Sequence, residues 1–124
     1  MKKKIRKINV GEQQYVFVIN HKYNQGVSEV SLSISLKKLK NKTCSFYFFT
    51  WDDSIIGSPL LVGFPLKEIT TGNIVNFNLH YPRIVKQFIL YGLGTGWNGA
   101  TRIVFNNGLE ILSELGYDIA PLKP

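Results

Sequence analysis

The run Val30-Ser31-Leu32-Ser33-Ile34-Ser35-Leu36 alternates apolar and small polar residues without a break. Successive side chains of a strand point to opposite faces, so this period of two predicts a β-strand with Val, Leu and Ile on one face and Ser on the other. Such a strand needs neighbours on its edges and an apolar layer on one face only, which commits the surrounding chain to a sheet with one buried side. The flanking segments suit that demand. KKIRKINV and QQYVFVINH stand on either side of Gly11, and TCSFYFFTW is rich in β-formers. Together they predict a four-stranded antiparallel meander with connections at residues 10–12, 21–27 and 37–42.

After Trp51 the stretch DDSIIGSP reads as a loop by its Asp, Gly, Ser and Pro content. LLVGFPLKEI and NIVNFNL predict a further strand pair around Thr71-Gly72-Asn73, with Pro65 marking an edge or a break. From His80 the period changes. Tyr81, Ile84, Val85, Phe88 and Tyr91 recur at spacings of three and four behind Pro82, which predicts an amphipathic helix over about residues 81–93. TRIVF is a short strand, and Asn107, three residues before Glu110, can cap a second helix, LEILSEL, that stops at Gly116. The fold class is therefore α+β: an antiparallel meander of about four to six strands against one main helix in the C-terminal half, with a short final strand and helix. A length of 124 residues suits one domain spanning 1–124.

Composition narrows the function classes. Cys44 is the only cysteine, so an intramolecular disulfide and a thiolate metal site are both excluded, and no metal or cofactor is expected. Behind the Met-Lys-Lys-Lys start comes IRKINVGEQQ, which lacks the apolar core of a secretory signal. No apolar run approaches the ~20 residues of a membrane span. The expectation is a cytoplasmic protein, complete as it stands. The net charge of +7 is uneven: residues 1–50 hold ten Lys and Arg against two Glu, and residues 51–124 hold five against six acids. The excess favours an acidic partner of some kind.

Gly94-Thr95-Gly96-Trp97-Asn98-Gly99 fits the G-x-G-x-x-G string of dinucleotide-binding loops. The pattern binds phosphate only where a strand leads into it and a helix leaves it, because helix N-terminal amides make the site. Here a helix leads in and a strand leaves, so the glycines read as a helix stop and chain reversal. Trp97 within that turn either folds back as a lid on the core or stands out as a partner anchor. Asp52 and Asp53 follow a strand, where paired carboxylates can serve chemistry; opening a turn is their commoner use. His21 and His80 lie in no nucleophile motif, and Cys44 sits inside a strand as a small hydrophobe. An enzyme would need Asp52, Asp53 and His80 or Cys44 to converge in one pocket.

The lysines form two clusters: Lys2, Lys3, Lys4, Arg6 and Lys7 in the first strand, and Lys37, Lys38, Lys40 and Lys42 in a connection. In a meander these are expected at opposite ends, roughly 23 Å apart at about 3.3 Å per residue. They either solubilise a strand and a turn or track a nucleic-acid backbone, with Tyr47, Phe49 or Trp51 on the serine-lined face as stacking platforms.

The ending GWNGATRIVFNNGLEILSELGYD, residues 96–118, resembles the end of small uncharacterised bacterial proteins in which a Gly-Trp-Asn turn follows a helix and a Leu-Gly-Tyr segment closes the chain. Proteins of this sort are similar in size to immunity proteins and to accessory proteins of mobile elements. The expected function is non-enzymatic binding of a macromolecular partner, a protein such as a toxin ahead of nucleic acid, with a hydrolase-type enzyme third. Partner-binding candidates are Trp97, Trp51, Tyr47 and Phe49.

Overall fold

The computed structural model describes residues 5–53, 55 and 57–124. Its strands are β1 (Arg6–Val10), β2 (Gln13–Asn24), β3 (Val27–Leu36), β4 (Cys44–Trp51), β5 (Phe64–Lys67), β6 (Ile74–Phe77) and β7 (Ile103–Phe105). Its helices are α1 (Pro59–Val62), α2 (Pro82–Gly94) and α3 (Gly108–Glu114), followed by a 3-10 turn over Ala120–Leu122. The main sheet has the order β1-β2-β3-β4-β7. Its first three pairings are antiparallel and the last, β4 with β7, is parallel. β5 and β6 pair in a separate antiparallel ribbon. The class is α+β with a mostly antiparallel sheet.

The connection between β2 and β3 is tighter than the polar stretch at 21–27 suggests. His21, Lys22 and Tyr23 stay in the ladder opposite Val30, Glu29 and Ser28, and only Gln25 and Gly26 turn. Both have positive φ, 51° and 84°, the pair of left-handed conformations that matches the twist of a two-residue hairpin. Polar side chains on an exposed strand end cost nothing in solvent, which is why composition misreads them as loop.

LLVGFPLKEI is not one strand. Ser58 accepts the Leu60 amide at 3.3 Å and Pro59 opens α1, a first-turn position that suits proline. Gly63, at φ 91°, then redirects the chain into β5. A parallel β4–β7 pair requires the chain to return to the starting end of β4 before pairing. Residues 52–102 make that return through α1, the β5–β6 ribbon and α2.

α2 buries Ile84, Val85, Phe88, Ile89 and Gly92. Phe88 meets Phe46 edge-on at 4.9 Å and Phe48 at 5.4 Å between ring centroids. Gly92 permits the close approach: a Cβ there would lie 2.9 Å from Cys44 Sγ. The helix ends in a Schellman closure, with the Trp97 amide donating to the Gly92 carbonyl at 3.0 Å and the Gly96 amide to that of Leu93 at 3.2 Å. Gly96 takes φ 110°. α3 ends the same way, Tyr117 donating to Leu112 and Gly116 to Ser113. Asn107 stands at its N-cap position but makes no side-chain cap hydrogen bond.

The buried cluster joins Tyr15 and Phe17 of β2, Val30, Leu32 and Ile34 of β3, and Cys44, Phe46 and Phe48 of β4 with side chains from all three helices. Each fully buried large apolar side chain contributes about 1.5 to 3 kcal/mol through removal from water. α3 packs closest: a Cβ on Gly108 would come within 2.5 Å of Phe48 Cδ2 and 2.6 Å of the Tyr47 carbonyl oxygen. A backbone oxygen cannot swing aside. Gly108→Ala is therefore expected to lower the unfolding free energy by about 1 to 3 kcal/mol, seen as an earlier urea midpoint, and an unchanged midpoint would contradict the tight α3–β4 packing.

Candidate functional site

The three helices supply side chains to the same buried cluster as Val30, Leu32, Ile34, Phe46 and Phe48. Period-two geometry then turns the intervening residues to the opposite face. The register arranges that outer face in rows: Lys7, Val16 and Ser35; Val18, Ser33, Ser45 and Val104; Asn20, Ser31 and Tyr47; Lys22, Glu29 and Phe49. Ser33 Oγ and Ser45 Oγ are 3.1 Å apart. Ser31, Ser35 and Ser45 are buried despite facing outward, because short side chains sit below the taller Val16, Val18 and Tyr47 beside them. The result is a hydroxyl floor with apolar walls.

Phe49 is 40 % exposed and Val104 57 % exposed on this face. Tyr47 and Phe49 also flank a hollow of about 190 Å³ closed on its far side by Asn106, Asn107 and the first turn of α3. Large apolar groups held on a rigid sheet, with no helix from the described residues laid over them, are the kind of surface that partners use as anchors. Tyr47 and Phe49 thus lie together on the serine-lined face. Trp51 does not join them as an open platform: its indole N–H donates to the Pro121 carbonyl at 2.7 Å and its ring packs on Phe64.

Trp97 lies inside. It is 2 % exposed, its indole N–H donates to the Thr101 carbonyl at 2.9 Å, and its ring lies 6.1 Å from that of Tyr15. The partner-anchor reading of Trp97 is corrected accordingly: the Schellman closure drives the residue after Gly96 back over the core.

The two basic clusters are not at opposite ends. Lys7 is paired with Val16, which is paired with Ser35, two residues before Lys37. Two strand spacings put Lys7 about 10 Å from Ser35. Lys37, Lys38 and Lys40 are exposed in the β3–β4 connection, with Lys42 half-buried. The connection is shaped by the Leu39 amide donating to Leu36 and the Lys42 amide to Leu39, both at 3.0 Å. Arg102, absent from the sequence reading, joins this end by donating from Nε to the Asn41 carbonyl at 2.8 Å. Arg6 leaves the cluster. Its place in β1 faces the helices, where its guanidinium lies over the Phe17 ring and donates to the His80 carbonyl at 3.1 Å. Lys2, Lys3 and Lys4 lie outside the described residues.

Among the residues weighed for catalysis, Cys44 and Asp52 stand apart. Cys44 begins β4 and Asp52 follows its end, eight residues or roughly 26 Å away along a strand. His80 lines a cavity with Arg6, Phe17 and Ile19. Asp53 accepts the Ile55 amide at 2.7 Å, an Asx turn. Asp52, largely buried, instead lies 3.5 Å from Nε2 of His21, an ion pair only when the imidazole is protonated. No sequence signal joined His21 to Asp52; it takes the β2–β3–β4 register to bring them to one end of the sheet. Among the described residues no group of three or more His, Cys, Asp and Glu side chains is placed to hold a metal ion. Among the described residues no helix is long and apolar enough to cross a membrane.

Comparison of the chain with protein-family models, with curated proteins and with solved structures finds no match in any of the three.

Burial separates the aromatic candidates in energy. Trp97→Ala is expected to cost about 3 to 5 kcal/mol of stability, whereas Phe49→Ala should change it by no more than about 0.5 kcal/mol; equal losses in urea unfolding would refute the assignment of the two rings. Burial also pushes the Cys44 thiol up to about 12 from 9.0. A thiol with a raised folded pKa costs stability as pH climbs from 9.0 toward 12, where only the unfolded chain has released the proton, and has no such effect below. At pH 8.5 iodoacetamide should alkylate Cys44 readily in urea and negligibly in the native protein, as read by mass spectrometry.

Proposed function

We propose that the protein is a non-enzymatic binding module whose open sheet face engages a macromolecular partner, a protein ahead of nucleic acid. The observation that carries this reading is the one-sided packing: α1, α2 and α3 all feed the cluster under one face, while Phe49 and Val104 stand exposed on the other beside Tyr47. The face also has the scale of an interface. Four strand spacings by the ten residues of β3 give about 19 Å by 33 Å, on the order of 600 Å², against the ~800 Å² each partner contributes to a standard complex.

Within this proposal the antiparallel meander serves as a rigid platform and α2 as its backing. An immunity-type role, in which the partner is a toxin, is the form suggested by the size of the chain, which is similar to that of immunity proteins. A single cysteine buried as a thiol suits a reducing, cytoplasmic setting. The enzyme reading has less to support it, since Cys44 and Asp52 stand at opposite ends of β4.

The test compares faces. Immobilised wild-type protein, a Tyr47→Ala/Phe49→Ala variant and a helix-side Leu90→Ala control are incubated with lysate of the source cells. A protein retained by wild type and control and reduced at least tenfold by the double variant is the expected outcome. Equal retention by all three would remove the open face from the function.

A further inference from the structure

We infer that the partner of the open face is an acidic protein held at two separated points: an apolar contact on Tyr47 and Phe49, and carboxylates on the lysine end of the sheet. The inference rests on the open-face reading above and adds the chemistry of the partner to it.

Lys7, Lys37, Lys38, Lys40, Lys42 and Arg102 gather at the end of the sheet where β3 passes into β4. Glu12 is the one acid in the described segments 5–14, 35–43 and 98–104 that build this end. Among the described residues none of the six cations is in an ion pair. Solubility alone does not ask for such segregation, because mixed signs spread over the surface achieve it as well. Uncompensated cations on a connection tied down by backbone hydrogen bonds and by Arg102 are pre-arranged for an anionic surface, and they raise its association rate.

Three occupants carry the needed negative charge or fit the face, and its rows discriminate among them. A nucleic-acid strand stacking on Tyr47 and Phe49 lays its phosphates along the same rows. There the charges are Lys22 and Glu29, directly opposite each other and cancelling, with Glu29 also paired to Phe49. The lysine connection lies farther off: Ser31, the partner of Tyr47, precedes Lys37 by six residues, about 20 Å. A neutral serine floor fills the interval. A second copy carries the same net charge of +7, so a face-to-face pair about a twofold axis is a like-charge arrangement that costs affinity. A folded acidic protein meets both demands at once, since its apolar anchor and its carboxylates can be 20 Å apart on one rigid surface.

The experiment takes the protein captured from nuclease-treated lysate in the comparison of faces, purifies it as the probe, and titrates it by fluorescence anisotropy at 50 and 300 mM NaCl. Partners for the titration are wild type, Lys37→Glu/Lys38→Glu and Tyr47→Ala/Phe49→Ala, each checked for an unchanged thermal midpoint. The expected probe is an acidic protein. Charge reversal should weaken it roughly tenfold at 50 mM salt and flatten its salt dependence. The aromatic variant should weaken it comparably and keep the salt dependence. Poly-L-glutamate should compete.

A probe bound through Tyr47 and Phe49 but indifferent to the lysine reversal overturns the acidic-partner inference and leaves the open-face reading intact. A probe sensitive to lysine reversal and indifferent to the aromatic variant removes the open-face reading, and this inference with it. Aromatic-dependent binding of a dT20 oligonucleotide with retention abolished by nuclease, or dimerisation through the face in sedimentation, assigns the face to another occupant. Absence of any retained protein at 50 mM salt, where attraction is strongest, counts against both.

Discussion

Phe88, held edge-on between Phe46 and Phe48, is the contact on which the arrangement turns. It joins α2 to β4, and its position decides which side of the sheet is dry. Once one side is sealed by aromatic packing, the period of two along β3 and β4 leaves every alternate residue on the other. The polarity of that other side is then a free choice of sequence. Four serines with the exposed Phe49 and half-buried Tyr47 beside them are an unusual choice for a face meant only to be wet, since charged side chains shield a sheet more effectively.

The glycines have a different place in the fold from the one their string suggests. Gly96 closes α2, Gly99 takes φ 85° with its α-carbon against the Leu36 side chain, and Gly92 lets the helix approach Cys44. Gly96 serves the turn, and Gly92 and Gly99 serve packing between the helix end and the sheet. Phosphate chemistry would need free amides at a helix start, whereas the amides of Thr95, Gly96 and Trp97 already donate to the carbonyls of Tyr91, Leu93 and Gly92 in the last helical turn.

The meander was legible because Val30–Leu36 alternates so regularly and because β-formers surround it. The span of α2 was legible for a similar reason, its apolar residues recurring at three and four. What the chain does not display locally was missed. α1 hides in LLV, a run that serves helix and strand equally, and only Ser58-Pro59 in front of it and Gly63 behind it favour the helix. The parallel pairing of β7 depends on a return over residues 52–102 that no local pattern encodes. The candidate site was half visible: Tyr47 and Phe49 share the parity of the serines, which places them on one face once β4 is recognised. Arg6 and Arg102 were misjudged or missed because facing and neighbourhood come from register, and register is a property of strand pairs. Trp97 admitted both directions until the hydrogen bonds of the Schellman closure settled one.

That closure also acts as a length stop. Trp97 follows the left-handed Gly96 directly and is anchored in the core by its buried ring, packed near Tyr15, so α2 can neither gain a residue nor slide along its axis without extracting the ring. Gly92 against Cys44 keys the same helix to the sheet a turn earlier. The main helix is thereby indexed to β4 at its C-terminal end, much as a dowel indexes two machined parts.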